Sequence, residues 1–344
     1  MAISYIGADV DCKMTELAVE ENKKIVYRKR IPTTISDLRS ELERFGGRKI
    51  LIFEECPMAG WLYRNLRDYA TQVIVSDPRR NGLICKDGEK DDRIDAGKLA
   101  ALYRGGFIRE VHHPQDDEHQ ALREAVALYH DRVRQKVREI NKFHFACYGH
   151  GLTVLRKDFL TSACREEWFG ELSKELREQL EIRAIGLDAA ICQVEAARKL
   201  FVGRAKKFEI IRYWNELPGI KWVRSSTMFA YLDTPWRFES VKELWKYCGV
   251  GLWRYASGSD RNGAPKSGKV KMYPYVNRRL KACVLGAALD AIRQDDNEFS
   301  EHYKRMVQDG VSPANARHTV GRKLLTVMFG MWKTQTRYVP GLRN

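Results

Sequence analysis

Apolar and polar positions change period several times along the first hundred residues. Short β patterns at residues 4–10, 16–20 and 24–30 predict three strands joined by tight connections. Apolar spacings of three and four then predict helices over 35–45 and 58–69, with apolar strands at 50–53 and 73–76 between and after them. Past a polar loop at 78–89, the Ala- and Leu-rich stretch 94–102 predicts another helix, and Gly105, Gly106 and Pro114 mark a linker. From residue 121 the positions Leu122, Val126, Tyr129, Val133, Val137 and Ile140 recur every three or four residues, as do Leu172, Leu176, Leu180, Ala184, Leu187, Ile191, Val194 and Phe201. Two long amphipathic helices follow, able to form an antiparallel or intermolecular coiled coil or to pack as an ordinary bundle within one chain. A third region, from about Phe208, shows a Gly-rich basic loop at 249–269 and closing helices at 276–293 and 317–334.

The order β β β α β α β is that of ribonuclease-H-like folds, a mixed sheet whose first strand lies beside the fourth. The predicted class is therefore α/β plus α. An N-terminal ribonuclease-H-like domain at 1–115 is followed by a helical coiled-coil region at 116–207 and a mainly helical C-terminal domain at 208–344. A length of 344 residues suits two or three such units.

Composition narrows the partners. A mean hydropathy of −0.47 and the lack of any run of about 18 apolar residues argue against a membrane span. The 60 Lys and Arg against 45 Asp and Glu leave a net charge of +15, which suits a polyanion such as nucleic acid. That charge is clustered: residues 254–281 carry eight cations (Arg254, Arg261, Lys266, Lys269, Lys271, Arg278, Arg279, Lys281) against the single acid Asp260. Eight cysteines stand singly, without the spacing of a zinc site or redox pair, and read as reduced thiols. The N-terminus runs directly into a strand pattern with no leader, so a cytosolic protein is expected.

Asp9 closes the first strand pattern and Glu54 the fourth, so in a ribonuclease-H-like sheet they are neighbours. Asp92 and Asp95, three apart at a helix start, share a face and are able to complete a set of carboxylates. Such a set suits hard divalent cations, with Mg²⁺ the natural ion, and so phosphodiester chemistry. Asp11 and Glu55 are competing choices, Glu55 pointing opposite to Glu54. In the basic segment, Ser257 lies in a small-residue turn where a nucleophile would have the charge neutralisation that attack on a phosphate requires, with Ser259 and Tyr255 as alternatives. Trp236, Trp245, Trp253, Tyr273 and Tyr275 are interleaved with the cations, as suits base stacking or packing along a backbone, although most, Trp245 above all, read as core residues.

IGAD at 6–9, IFEE at 52–55 and KDDRIDA at 90–96 resemble the acidic motifs of the DEDD insertion-sequence transposases of the IS-one-ten family, relatives of the Piv-type DNA invertases. LPGI at 217–220, CGVGLWRYASGS at 248–259 and NRRLKA at 277–282 are similar to successive motifs of that family's C-terminal domain, with Lys221 where a second hairpin glycine is usual. The resemblance implies a RuvC-like domain holding Mg²⁺ through Asp9, Glu54, Asp92 and Asp95, a coiled-coil dimerisation region, and a transposase domain whose Ser257 attacks DNA through a phosphoserine intermediate. It also implies donor and target DNA as substrates and a structured bridge RNA that selects them. The implied assembly is a homodimer growing to a tetramer on nucleic acid, with acids and serine supplied by different protomers, active at the nucleoid of a bacterial cytosol. Rival readings are a RuvC-like endonuclease using metal-activated water, a Piv-like invertase, and a nucleic-acid-binding scaffold without catalysis.

Overall fold

A computed structural model describes residues 3–78, 92–114, 116–255, 269–273 and 275–341, with backbone alone for 92–94, 254–255 and 269–271. The chain divides into two compact units, 1–117 and 118–344.

The first unit is built on a five-stranded sheet of β1 (Ile3–Val10), β2 (Met14–Glu21), β3 (Lys24–Pro32), β4 (Arg48–Glu54) and β5 (Gln72–Ser76), in the order β3-β2-β1-β4-β5. β1 is antiparallel to β2 and parallel to β4, so the first strand does lie beside the fourth. Asn22 and Lys23, both at positive φ, make the two-residue turn between β2 and β3, the conformation that matches the twist of paired strands. Alternation sorts the side chains of β1 and β4 between two layers. Ile6, Ala8, Leu51 and Phe53 meet α1 (Ile35–Glu43) and α2 (Ala59–Leu66) through Leu38, Leu42, Leu62 and Leu66. Tyr5, Ile50 and Ile52 face the other way, toward α3 (Asp92–Arg104) and its Leu99 and Tyr103. Thr34 caps α1 by accepting the amide N–H of Asp37 at 3.1 Å.

α3 lies against β1 almost without side chains between them. A Cβ on Gly7 would come within 1.9 Å of the Ala96 carbonyl oxygen and 3.2 Å of the Ala100 amide nitrogen. Tyr5 meets Tyr103 with ring centroids 6.2 Å apart, so the helix runs opposite to the strand. Its far end is fixed by the ion pair of Arg104 with the buried Glu20 of β2.

In the second unit, α4 (Asp117–Tyr148) and α6 (Lys174–Ala205) form an antiparallel pair within one chain, with α5 (Ser162–Phe169) between them in sequence. Arg132 donates to Gln193 at 3.1 Å across the pair. At one end Phe143 and Cys147 pack with Leu176, Leu180 and Phe169; at the other Leu122 and Val126 join Phe201 in the main core. Of the two arrangements open at the sequence level, the apolar stripes are thus largely covered within the chain, while Phe145, Ile182 and Ile185, 79%, 71% and 71% exposed, face outward.

The main core gathers α7 (Glu209–Trp214), α8 (Trp222–Leu232), α9 (Val241–Tyr247), α10 (Arg278–Arg293), α11 (Glu298–Gln308) and α12 (Pro313–Thr334) around the fully buried Trp214, whose indole N–H donates to the Met328 carbonyl at 3.2 Å. Between α9 and α10, β6 (Leu252–Tyr255) and β7 (Lys269–Met272) pair antiparallel. The expected 249–269 loop is therefore bounded by a hairpin, which its glycines and the short alternation concealed. Gly219 in LPGI has φ +75°, and a Cβ there would meet the Ala287 carbonyl oxygen at 2.2 Å. Lys221, at φ −139°, is in extended backbone that any residue adopts, so the chain turns here without a second glycine. Among the described residues no helix is long and apolar enough to cross a membrane.

Because α3 touches β1 through backbone, Gly7→Val is expected to lower unfolding stability by about 1–3 kcal/mol or more, the scale of overpacking. Urea denaturation followed by circular dichroism measures it, and an unchanged midpoint would contradict the contact.

Candidate nucleic-acid-processing site

The register of the sheet brings the first two acids to one edge. Ala8 pairs with Phe53, so the next residues along these parallel strands, Asp9 and Glu54, stand side by side at adjacent strand ends. By alternation Asp9 shares the face of Tyr5 and Gly7, and Glu54 that of Ile50 and Ile52, which is the α3 face. Since α3 runs opposite to β1, its first turn lies toward the Asp9 end, and that turn carries Asp92 and the half-buried Asp95. The backbone of Asp92 opens the helix, and its side chain lies outside the described residues.

The competing acids have other partners. Glu55, turned to the opposite face, binds the buried His113, Oε2 to Nε2 at 2.6 Å, and its amide N–H donates to the Ser76 carbonyl at 2.9 Å. Asp11 sits exposed in the β1–β2 turn, where its carboxylate accepts the backbone N–H groups of Cys12 and Lys13. These bonds hold its carboxyl below the ordinary aspartate value.

All the candidate ligands offer carboxylate oxygen, the donor chemistry of a hard divalent cation. Among the described residues no group of three or more acid, histidine or cysteine side chains is drawn together as a metal site.

The basic segment is described in part. Ser257, Ser259, Arg261 and Lys266 lie outside the described residues. Arg254, Lys269 and Lys271 stand in the hairpin, Arg254 opposite Val270, Tyr255 opposite Lys269 and Trp253 opposite Lys271. Trp253 and Tyr275 are 39% and 77% exposed, and Trp236, in a separate short turn, is 74% exposed. Trp245 is half-buried and packs on the main core. Arg278 and Arg279 occupy the first turn of α10, which Asn277 caps by accepting the N–H groups of Arg279 and Leu280, each at 3.1 Å. Arg278 is exposed, whereas Arg279 donates to the Tyr231 hydroxyl and lies over that ring, 5.1 Å from its centroid. Burial, with a smaller contribution from the charges of Arg279 and Arg134, pushes the nearby His130 down to about 4.

Sequence reasoning passed over Arg322 on α12, which donates to the Val250 carbonyl just before β6, and Arg317 and His318 about one turn before it. Their signal was the placing of cations among positions that apolar spacing assigns to the core, Ala316, Val320 and Gly321.

Comparison with known proteins supplies the class. Residues 6–146 match the IS110 DEDD model described as Transposase, and residues 212–304 match the model described as Transposase IS116/IS110/IS902 family. The y4qE protein of Sinorhizobium fredii, which bears the name of a transposase, is 24% identical over 280 residues, covering 78% of this chain and 69% of its own. An acid-bearing α/β unit and a basic helical unit, each matched in turn, define a transposase, an enzyme that cuts and rejoins DNA. The chain belongs to the IS110 family of insertion-sequence transposases.

The Asp11 turn gives a direct check on the geometry of this strand end. In a carbon-detected NMR titration the Asp11 carboxyl should lose its proton below the usual aspartate range and stay charged as pH falls toward 4. A midpoint at or above that of an unstructured aspartate would mean the two backbone donors are not aimed at it.

Proposed function

We propose that this transposase is a Mg²⁺-dependent, serine-using recombinase with a RuvC-like N-terminal domain, guided to donor and target DNA by a structured bridge RNA. The observation that carries the reading is the adjacency of Asp9 and Glu54 at parallel strand ends, on the face where the acidic first turn of α3 begins. Asp9, Glu54, Asp92 and Asp95 would hold the ion. When bound, it would neutralise charge on the phosphodiester and promote attack and departure of oxygen. The chain's own part is to place a nucleophile: the Ser257 hydroxyl attacks phosphorus and loses its proton, the 3′-oxygen departs and gains one, and a 5′-phosphoserine link conserves the bond energy for rejoining. Arg254, Arg261, Lys266, Lys269, Lys271, Arg278 and Arg279 would hold the strands by their phosphates.

Three parts divide the work in this reading: residues 1–115 bind metal, 116–207 assemble protomers, and 208–344 carry the serine. The outward Phe145, Ile182 and Ile185 of the long helix pair support its use in assembly into dimers and, on nucleic acid, tetramers.

Asp92→Asn and Ser257→Ala are each expected to lower strand exchange by about 10²–10³ or more, the scale of losing one transition-state contact. Ser257→Ala should also abolish the covalent protein–DNA adduct on denaturing gels while DNA binding persists. An undiminished adduct removes Ser257 from the mechanism, and Mg²⁺-dependent cleavage with no adduct from the wild type points to an endonuclease using water. Because acids and serine would come from different protomers, mixing the two variants should restore part of the activity. No recovery in verified mixed oligomers argues for a site within one chain.

The guide is tested separately. Purified protein should carry a discrete structured RNA and lose recombination after ribonuclease treatment. Full activity after digestion, with no RNA bound, excludes an RNA guide.

A further inference from the structure

The hairpin that bears the serine segment is rooted among cations. Val250, just before β6, is buried between α10 and α12: a Cβ on Gly321 of α12 would meet Val284 of α10 at 3.0 Å and Val250 at 3.7 Å. Gly249 packs against the stem of Lys281, with a Cβ placed there 3.0 Å from its carbons. Arg322 donates to the Val250 carbonyl at 3.0 Å and to the Thr319 hydroxyl at 2.7 Å. His318 lies one turn earlier on α12, close enough to feel the charges of Lys281, Arg322 and Arg317.

No carboxylate pairs with any of these four side chains among the described residues, although they are half-buried. Their surroundings bear this out. Burial pulls the Arg322 guanidinium below its usual value, and burial together with the three cations pulls His318 down. Arg317 Nε and His318 Nδ1 are buried with no hydrogen-bond partner among the described residues. Buried charge and unmet polar atoms in one place are costly unless an outside group completes them. Three cations and an imidazole with no acid call for an anion that accepts several hydrogen bonds, which is the chemistry of a phosphate oxygen.

We propose that Lys281, Arg317, His318 and Arg322 form an anchor for a backbone phosphate of bound nucleic acid at the root of the serine-bearing hairpin. The inference rests on the recombinase reading above. In this proposal the anchored phosphate is a positioning contact and not the phosphate under attack. The anchor instead fixes the strand so that another phosphate reaches the serine. Phosphodiester of either DNA or RNA satisfies this chemistry.

The experiment uses full-length protein, a fluorescein-labelled DNA duplex and a labelled RNA hairpin, with binding measured by anisotropy over a salt series. The central variant is Arg317→Gln, because its Nε makes no bond that the fold needs. Arg322→Gln and Lys281→Gln accompany it, and Arg198→Gln on the exposed face of α6 controls for net charge. Thermal unfolding verifies that each is folded. Arg317→Gln should weaken binding roughly tenfold and reduce the slope of log affinity against log salt by about one, with one or both probes, while Arg198→Gln leaves the slope unchanged. The responding probe identifies which nucleic acid is held. Wild-type slopes for folded Arg317→Gln and Lys281→Gln with both probes, or an equal loss from Arg198→Gln, overturn the anchor. If the wild type never cuts or rejoins DNA yet the Arg317-dependent slope is present, the anchor stands and the recombinase reading fails. Recombination with unaltered slopes in both Arg317→Gln and Lys281→Gln removes the anchor alone.

Discussion

The first unit depends on one contact, the seating of α3 on β1 at Gly7. A side chain at that position would stand within 1.9 Å of the Ala96 carbonyl oxygen, so the two backbones meet only because residue 7 has none. From this approach the rest follows geometrically. The helix is held low over the sheet and its polarity is fixed by Tyr103 against Tyr5 and Arg104 against Glu20. Its acidic first turn therefore begins where β1 and β4 end. A bulkier residue 7 would lift the helix by more than an ångström, and the separation between its first turn and the strand ends would grow with it.

The second unit solves a different problem. Two helices of 32 residues each present apolar stripes too long for a small core, and they cover one another by running antiparallel. Each end is then closed by a separate cluster, with Phe143 stacked on Phe159 at 4.6 Å in one and Tyr129 against Phe201 at 4.9 Å in the other. The pair is thus packed at both ends, and its outward Ile182 and Ile185 stand outside either cluster.

Much of this was legible in the sequence because burial imposes a period. The strand order of the first unit and both long helices follow from apolar spacing, as does the adjacency of Asp9 and Glu54 once β1 is set beside β4. The α3 start was read two residues late, since its first turn is polar and gives no apolar period. The hairpin β6–β7 was hidden because four-residue strands rich in Arg and Lys alternate too briefly to register, and Gly249, Gly251 and Gly258 read as loop. Gly7 carried a signal, a glycine within an apolar strand, which often marks a close approach of backbone. Spacing alone could not separate Asp9 from Asp11, because it does not show that β1 ends between them at Val10. Asp11 falls in the turn after β1, where backbone donors hold its carboxyl below the ordinary value.

The same unit-level logic distinguishes charges that serve the fold from those that do not. Glu41, buried beneath β3, is raised by desolvation but brought below its ordinary value by Lys29 and the Tyr27 hydroxyl, so its cost is met inside the unit. Arg165 is buried and satisfied by Asp188 and the Phe159 carbonyl, and Arg224 by Asp290 and the Gly219 carbonyl. Arg322 stands apart from these, because its donors meet a carbonyl and a hydroxyl, which bond it without neutralising it. Two terminal nitrogens of one long side chain reach both acceptors, yet neither acceptor carries a charge to offset the desolvation that a guanidinium incurs. A cation bonded by the fold but not neutralised by it leaves its charge for an anion from outside, and in the proposed anchor that anion is a phosphate of the nucleic acid.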